Sequence, residues 1–172
     1  GVAIFHEGDD AGSVIVLHAC CHNPTGVDPT PAQWPRIIDL VRARGLVPFL
    51  DIAYQGFGDG IDQDGSVVRA FAATPGPLLV ASSFSKSFSI YGERVGALSL
   101  VAADKDEATR VLSQVKRTIR SNYSNPPTHG GQIVATVLCS PELRALWEAE
   151  LAAMRDRIKL MRALLVERLH EQ

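Results

Sequence analysis

The stretch SSFSKSFSIYGERVG, Ser82 to Gly96, carries the most informative pattern in the chain. It sets one lysine, Lys86, among small hydroxyl residues, with an arginine, Arg94, eight positions further on. The apolar run PLLVASS, residues 77–83, precedes it and is typical of a buried strand, and VGALSLVA, residues 95–102, follows as another. A solvated lysine needs no such neighbours, whereas a neutral lysine beside a bound anion does. The stretch therefore predicts a reactive amine next to an anion site, between two strands.

Predicted strands and helices alternate on both sides of this stretch. Apolar, β-branched runs predict two more buried strands, and amphipathic or helix-forming segments predict helices. The strands are residues 13–21 and 46–51, and the helices are residues 31–45, 65–74 and 104–120. Thr30 is a candidate N-cap of the first helix, and Gly45 ends it. The alternation indicates an α/β fold, a sheet covered by helices.

The last part of the chain has the pattern of one long helix. From Pro141 onward, apolar residues recur at spacings of three and four, and we expect this stripe to pack against the domain. Its members are Leu143, Trp147, Leu151, Met154, Ile158, Met161, Leu165 and Leu169. The helix length predicts a large domain at residues 1–140 and, at residues 141–172, a helix leading to a small domain that is mostly absent. Because the chain lacks an initial Met and stops within the helical pattern, we expect an internal fragment.

Composition narrows the class of protein. The chain has 172 residues, 46% hydrophobic and 21% charged, which is enough to bury a sizeable core. A net charge of −2 with interspersed signs argues against nucleic acid or an anionic membrane as the main partner. Three cysteines make a poor disulfide framework, and no apolar run is long enough to cross a bilayer. Since no signal segment opens the chain, we expect a cytoplasmic protein.

Two short motifs are similar to a metal site and to a dinucleotide-binding site, but their context argues against both. In HACCH, residues 18–22, the side chains of His18, Cys20 and His22 share one face of a predicted strand, as metal ligands could. Tetrahedral zinc sites usually take their ligands from paired loops with wider spacing, so we expect no metal and a supporting role for His22 beside Asn23. GFGDG, residues 56–60, lacks the strand-to-helix context of a dinucleotide-binding fingerprint.

Polar residues of different chemical kinds follow three of the predicted strands. The first strand leads to Asn23, the second to Asp51 and Tyr54, and the third to Lys86. In open α/β sheets, ligands bind beyond the carboxyl ends of the strands. We therefore expect an amide, a carboxylate, a phenol and an amine in one crevice. Such a set suits a cofactor with a ring nitrogen, a phenolic oxygen and an aldehyde.

Four motifs together resemble one enzyme family: HNPTG, DIAYQGF, SFSKSFSIYGERVG and IRSNYSNPPTHG. In this order and at this spacing, they are similar to the fold-type I pyridoxal-phosphate aminotransferases, in the aspartate and aromatic aminotransferase subgroup. The resemblance implies the aspartate aminotransferase-like large domain, with a mostly parallel sheet and covering helices. It also implies pyridoxal 5′-phosphate as cofactor and a homodimer with sites at the interface.

The resemblance also implies residue roles. Lys86 would form the Schiff-base link to the cofactor and shuttle the substrate proton, which requires a lowered pKa of an amine. Asp51 would keep the pyridine nitrogen protonated, so that the ring accepts electrons. Asn23 and Tyr54 would bind the phenolic oxygen, and Asn23 would also contact substrate.

The remaining implied roles concern anions. Ser83, Ser85 and Arg94 would bind the phosphate, the arginine through its planar fork of donors. Arg120 would cross the dimer interface to bind the distal carboxylate of a dicarboxylic substrate. The family's glycine-rich phosphate loop and ring-stacking aromatic lie upstream of this stretch, and its α-carboxylate arginine lies downstream. We therefore expect these 172 residues alone to be inactive.

The implied reaction is transamination by a ping-pong route between an aromatic or dicarboxylic L-amino acid and a 2-oxo acid such as 2-oxoglutarate. Three alternatives stay open: an aspartate aminotransferase, an enzyme using the same cofactor for β-elimination, and a non-catalytic aminotransferase-like domain of a transcriptional regulator. The motifs around Lys86 and Arg120 resemble the aromatic type more closely.

Overall fold

The computed structural model describes residues 11–171. Its centre is a sheet of four strands in the order β1-β2-β3-β4. The strands are β1 Val14–His18, β2 Val47–Ile52, β3 Leu78–Ser83 and β4 Gly96–Val101. The first three are parallel, and β4 is antiparallel to β3. The predicted α/β class, with a mostly parallel sheet, is confirmed.

Helices connect and follow the strands. They are α1 Trp34–Ala43, α2 Ile61–Asp64, α3 Ser66–Ala72, α4 Lys105–Asn122, α5 Thr128–Cys139 and α6 Pro141–His170. A 3₁₀ turn spans Tyr91–Glu93 just before β4. The short α2 was not among the predicted helices. None of the helices within residues 11–171 is long and apolar enough to span a membrane.

The buried core covers one face of the sheet, and the side chains of β2 show which residues lie on it. Side chains alternate along β2, so that Leu50 and Ile52 are buried while Asp51 is only half-buried. Val41 of α1 and Phe71 of α3 are fully buried in the same core cluster as Leu50. Asp51 therefore lies on the sheet face opposite to this core.

The predicted cap of α1 is wrong. Thr30 and Gln33 form a turn of their own, in which the Gln33 N–H donates to the Thr30 carbonyl at 2.9 Å and the Thr30 N–H donates to Gln33 Oε1 at 2.8 Å. The helix consequently begins at Trp34, and its cap residue Gln33 makes no side-chain capping bond. The predicted end is close: Gly45, with φ +65°, follows the helix in the left-handed region that glycine tolerates.

The long helix α6 is confirmed, beginning after Ser140, whose hydroxyl accepts from the Leu143 N–H at 3.3 Å. The predicted packing of its apolar stripe is confirmed at Leu151 in the first half of the helix and is wrong for the second half. Leu151 is 1% exposed, whereas Ile158 is 45% and Leu169 is 65% exposed. The second half of the helix has little of the described chain beside it, so its apolar residues are not covered there. The division into two domains stays a prediction.

Candidate active site

Lys86 lies in a tight turn directly after β3. The Phe88 N–H closes this turn by donating to the Phe84 carbonyl at 3.1 Å, and Ser89 N–H donates to the Lys86 carbonyl at 3.1 Å. The lysine Nζ lies 4.7 Å from the centre of the Tyr54 ring, which comes from the turn after β2. At this distance the ring face attracts a cation. Two residues predicted from separate motifs are thus in contact.

Asp51 on β2 lies opposite a histidine on the neighbouring strand β1. The register pairs Asp51 with His18, and His18 Nε2 lies 4.0 Å from Asp51 Oδ2. The backbone N–H of Asn23 donates to His18 Nδ1 at 3.4 Å, so in the neutral ring the hydrogen is on Nε2, on the side of Asp51. His18 thus connects two predicted site residues. Its place opposite Asp51 depends on strand register, which the sequence alone does not specify.

The loop that carries Asn23 is built around the carboxylate of Asp28. Its two oxygens accept from the N–H groups of Cys21, at 2.7 Å, and His22, at 2.8 Å. His22 Nδ1 also lies 2.7 Å from Thr25 Oγ1. These bonds hold the loop without any ligand. Asp28 was not singled out from the sequence, although an Asp a few residues after a strand end is a common way to order a turn.

The predicted phosphate-binding residues lie at one edge of the sheet. Ser83 ends β3 and pairs with Gly96 at the start of β4, which brings Arg94 to the same edge as the carboxyl ends of the parallel strands. Ser83 Oγ accepts from the Ser85 N–H at 3.3 Å, and Ser85 is buried. Arg94 is exposed and has left-handed backbone geometry, φ +52°, and its guanidinium donates to the Tyr91 carbonyl at 3.1 Å.

A cleft of about 530 Å³ opens beside the Lys86 turn. Tyr54 and Lys86 line it, together with His22 and two cations from α6, Lys159 and Arg162. The other predicted cofactor residues lie outside this lining; they are Asn23, Asp51, Ser83, Ser85 and Arg94. That α6 supplies cations to the cleft was not predicted from the sequence, because only the apolar residues of this helix were considered. The three-residue spacing of Lys159 and Arg162 would have indicated that both lie on one face of the helix.

Arg120 lies apart from this cleft. It is in the last turn of α4, exposed, and its guanidinium donates to the hydroxyl of Ser124. It is not among the residues that line the cleft beside Lys86. Arg120 of this chain is therefore not part of this cleft.

The cysteines of HACCH form a contact with each other rather than with the histidines. Hydrogen bonding to Cys21 and burial raise the pKa of the Cys20 thiol, and the same hydrogen bond lowers the pKa of Cys21. The rings of His18 and His22 instead contact each other, with centroids 4.7 Å apart. Among residues 11–171, the one group with three candidate metal-ligating atoms within 4.8 Å is Cys20, Cys21 and Asp64, without a histidine.

The GFGDG segment wraps around the buried carboxylate of Asp64. One oxygen accepts from the N–H groups of Gly56, at 2.7 Å, and Gly58, at 2.9 Å, and the other accepts from Asp59 N–H at 2.8 Å. The glycines let the backbone close on the carboxylate, since a Cβ on Gly58 would lie 2.5 Å from Asp64 Oδ1. Three N–H groups of the loop are therefore used within this chain, by Asp64.

Comparison with known proteins gives a consistent result. Residues 6–172 match the family described as "Aminotransferase class I and II". The aspartate aminotransferase of Pseudomonas aeruginosa is 64% identical over 92% of this chain and 40% of its own, and the tyrosine aminotransferase of Klebsiella pneumoniae is 55% identical over 94% and 41%. The crystal structure of an aromatic-amino-acid aminotransferase from Burkholderia pseudomallei, covalently bound to pyridoxal phosphate, superimposes with a TM-score of 0.93. It is 66% identical and matches 95% of this chain and 41% of its own.

Two conclusions follow from these matches. The chain spans about two fifths of the length of the relatives it matches, 40% and 41% for the two enzymes above. The predicted family and the predicted fold class are both confirmed by the family match and by the structural superposition. This chain belongs to the class I and II aminotransferases, in the aspartate and aromatic aminotransferase group.

Proposed function

We propose that this chain is part of the cofactor-binding large domain of an aminotransferase that uses pyridoxal 5′-phosphate. The substrates are an aromatic or dicarboxylic L-amino acid and a 2-oxo acid such as 2-oxoglutarate. The observation that carries the proposal is the amine of Lys86, held over the Tyr54 ring in a cleft of about 530 Å³. This volume is within the range of roughly 300–1,000 Å³ that small-molecule sites occupy.

The residues present fit such a cofactor. The sheet edge that carries Lys86 also carries two hydroxyls and Arg94, the donor types that phosphate needs. Asp51 lies on the same edge, with His18 Nε2 4.0 Å from its Oδ2, and offers a carboxylate to a ring nitrogen. When bound, the cofactor supplies a carbonyl for the amine to attack and a ring that takes up electrons as the substrate loses its Cα proton.

Each residue then has a defined role. The Lys86 amine would hold the cofactor and would take up the proton that leaves the substrate Cα, because it is the amine in this turn. The Asp51 carboxylate keeps a positive charge on the ring nitrogen. Tyr54 and Asn23 donate hydrogen bonds to an oxygen that becomes ionised. Ser83, Ser85 and Arg94 bind phosphate, and thereby orient the reacting group towards Lys86.

The substrate range and assembly belong to the same proposal. Arg120 lies outside its own chain's cleft, which suits a residue that serves a second subunit in a homodimer. An aspartate aminotransferase is the second candidate, because the relative at 64% identity bears that name. We also propose a cytoplasmic location, and residues 141–172 as the connection to a small domain.

A covalent-labelling experiment tests the proposal. The full-length protein is incubated with pyridoxal 5′-phosphate and reduced with borohydride, and the modified lysine is located by peptide mass spectrometry. We expect the label on Lys86. The control within the same cleft is Lys159, whose ammonium is paired with Asp59 at 2.8 Å. A label on Lys159, or none on the protein, would contradict the proposal and favour the non-catalytic alternative.

Half-reactions then separate the two candidate substrates. Phenylalanine, tyrosine and aspartate are each tested as amino donor, without an acceptor, by following the absorbance of the bound cofactor. We expect all three to react, and the aromatic donors at least as fast as aspartate. A response to aspartate alone would favour the aspartate aminotransferase.

A further inference from the structure

Helix α6 contacts the turn that carries Lys86. The indole N–H of Trp147 donates to the carbonyl of Ser87, the residue after the lysine, at 2.6 Å. The indole also stacks on the ring of Phe88, with centroids 4.6 Å apart and planes 20° from parallel. Ser87 is 6% exposed, so its carbonyl has little access to water as an alternative donor. One side chain of α6 thus fixes two consecutive residues of this turn.

The next turn of the helix contacts the turn that carries Tyr54. Leu151, four residues after Trp147 and on the same helix face, packs on Gly56, where an added Cβ would meet the leucine side chain. Arg155 reinforces this contact by donating to the Gly56 carbonyl at 3.3 Å. A single helix face therefore contacts the turns after β2 and β3, which carry Tyr54 and Lys86.

We propose that Trp147 is a positioning residue for Lys86. By holding the Ser87 carbonyl and the Phe88 ring, it sets where the lysine backbone lies relative to the Tyr54 ring. This inference rests on the proposed function. A reaction that depends on the orientation of a side chain becomes slower when the backbone of that residue shifts. A displacement of 1 Å can lower the reaction rate by about 100-fold. Loss of the indole N–H also leaves the Ser87 carbonyl without its donor, which favours a rearranged turn.

The test compares two tryptophan substitutions in the full-length protein. W147F keeps an aromatic ring on Phe88 but removes the N–H. W34F is the matched control, since Trp34 is the chain's other tryptophan and, as the first residue of α1, is 7% exposed in the core. Two kinds of measurement are made: hydrogen exchange of the Phe88 and Ser89 amides in cofactor-free protein, and the kinetics (kcat and KM) of the loaded enzyme.

We expect W147F to exchange both amides at least tenfold faster than wild type, because their bonds close the Lys86 turn. We expect kcat to fall by about 10- to 100-fold, with KM changed less than about threefold. W34F should change neither the local exchange nor kcat to this degree. Wild-type exchange at both amides, or an unchanged kcat with faster exchange, would overturn the inference.

Two further points keep the test decisive. If W147F does not fold, Trp147 alone is replaced site-specifically by benzothienylalanine, which keeps the bicyclic shape and has sulfur in place of the indole N–H. The same exchange and kinetic outcomes then apply. If wild-type protein binds no pyridoxal 5′-phosphate, the proposed function has failed, and the exchange measurement alone still decides whether Trp147 holds the turn.

Discussion

The amine of Lys86 lies 4.7 Å from the centre of the Tyr54 ring, and the two residues come from turns after neighbouring parallel strands. A cation in this position over an aromatic face gains roughly 0.5–2 kcal/mol. The contact therefore holds the amine against the Tyr54 ring and keeps it within the cleft.

The first prediction is that Lys86→Ala in the full-length protein removes both cofactor attachment and turnover. No other amine occupies the turn after β3, so the visible absorbance of attached cofactor should disappear. We expect kcat to fall by at least roughly 100-fold, the low end for a positioned acid–base group. The control is Lys116→Ala, at an exposed site on α4, which should behave as wild type. Retained absorbance in Lys86→Ala would assign attachment to another residue.

The second prediction concerns the carboxylate beside His18. Asp51→Asn keeps the shape of the side chain but removes the charge that would hold a proton on the ring nitrogen. A charge-assisted hydrogen bond is worth about 1.5–3 kcal/mol, and we expect kcat to fall by a factor of about 10 to 100. Cofactor occupancy, measured by absorbance, should fall less. Asp39→Asn, at an exposed position of α1, is the control. A near-normal kcat in Asp51→Asn would remove Asp51 from the site.

The third prediction uses two neighbouring glycines of α5. A Cβ on Gly130 would lie 2.7 Å from Glu93 Cβ and would also meet the Val95 side chain, next to Arg94. We expect Gly130→Ala to destabilise the fold by about 1–3 kcal/mol, as overpacking does. A Cβ on Gly131 has nothing within 4 Å, so Gly131→Ala should stabilise by up to about 1 kcal/mol through helix propensity. Urea unfolding measures both, and equal effects would refute the packing argument.

The fourth prediction is a pH dependence of the contact between α6 and the Gly56–Gly60 loop. A hydrogen bond and the charge of Lys159 lower the pKa of Asp59. A carboxyl with a lowered pKa stabilises the fold above its unfolded pKa, about 4, and loses this effect as the pH falls through the folded value. Since both side chains are largely exposed, we expect less than about 1 kcal/mol.

Thermal or urea unfolding of wild type and Lys159→Met, at pH 7 and at pH 3, measures this effect. The wild type should be the more stable at pH 7, and the difference should be smaller at pH 3, below the unfolded pKa. Arg157→Met, which removes an exposed cation from the same helix, controls for a general loss of charge. A difference between wild type and Lys159→Met that is equal at the two pH values would mean that packing of the lysine stem, and not the ion pair, is responsible.

The fifth prediction concerns substrate charge. Arg120→Leu should lower kcat/KM for aspartate by about 10- to 100-fold, the value of a charge-assisted hydrogen bond of 1.5–3 kcal/mol. The loss for phenylalanine should be much smaller, because its ring offers no carboxylate to pair. The half-reactions are measured separately, so that a dicarboxylic acceptor does not confound them. Arg117→Leu, one turn earlier on α4, is the control. Equal losses for both donors would exclude Arg120 as the selectivity residue.

The sequence predicted those parts of the fold that depend on short-range periodicity. Apolar runs gave the four strands to within a few residues, and helical spacing predicted α6 from Pro141. β4 was predicted as a strand, but its antiparallel direction was not. That direction depends on the short path from Ser83 to Gly96, which the pattern of apolar residues does not encode. The exposure of the α6 residues beyond Ile158 was likewise unpredictable, because burial depends on which elements lie alongside.

The same distinction applies to the candidate site. Lys86 and Tyr54 were predicted to converge because strand ends of a parallel sheet share an edge, and they are in contact. His18 opposite Asp51 needs the register of two strands, and the Trp147–Ser87 bond joins residues 60 positions apart. Such long-range pairs leave no local pattern. They are also the contacts that determine the orientation of the predicted residues.

The Asp64 carboxylate restricts which amino-acid substitutions this region can accept during evolution. Because it accepts three backbone N–H groups of the Gly56–Gly60 loop, its loss would leave all of them unpaired at once. Substitutions within the loop do not remove these donors, since they are main-chain N–H groups that every residue except proline possesses. Substitutions at Asp64 and in the loop are therefore not independent: a viable lineage must alter the loop's length or path before it can dispense with the acid. Insertions into this loop should accordingly coincide with changes at position 64.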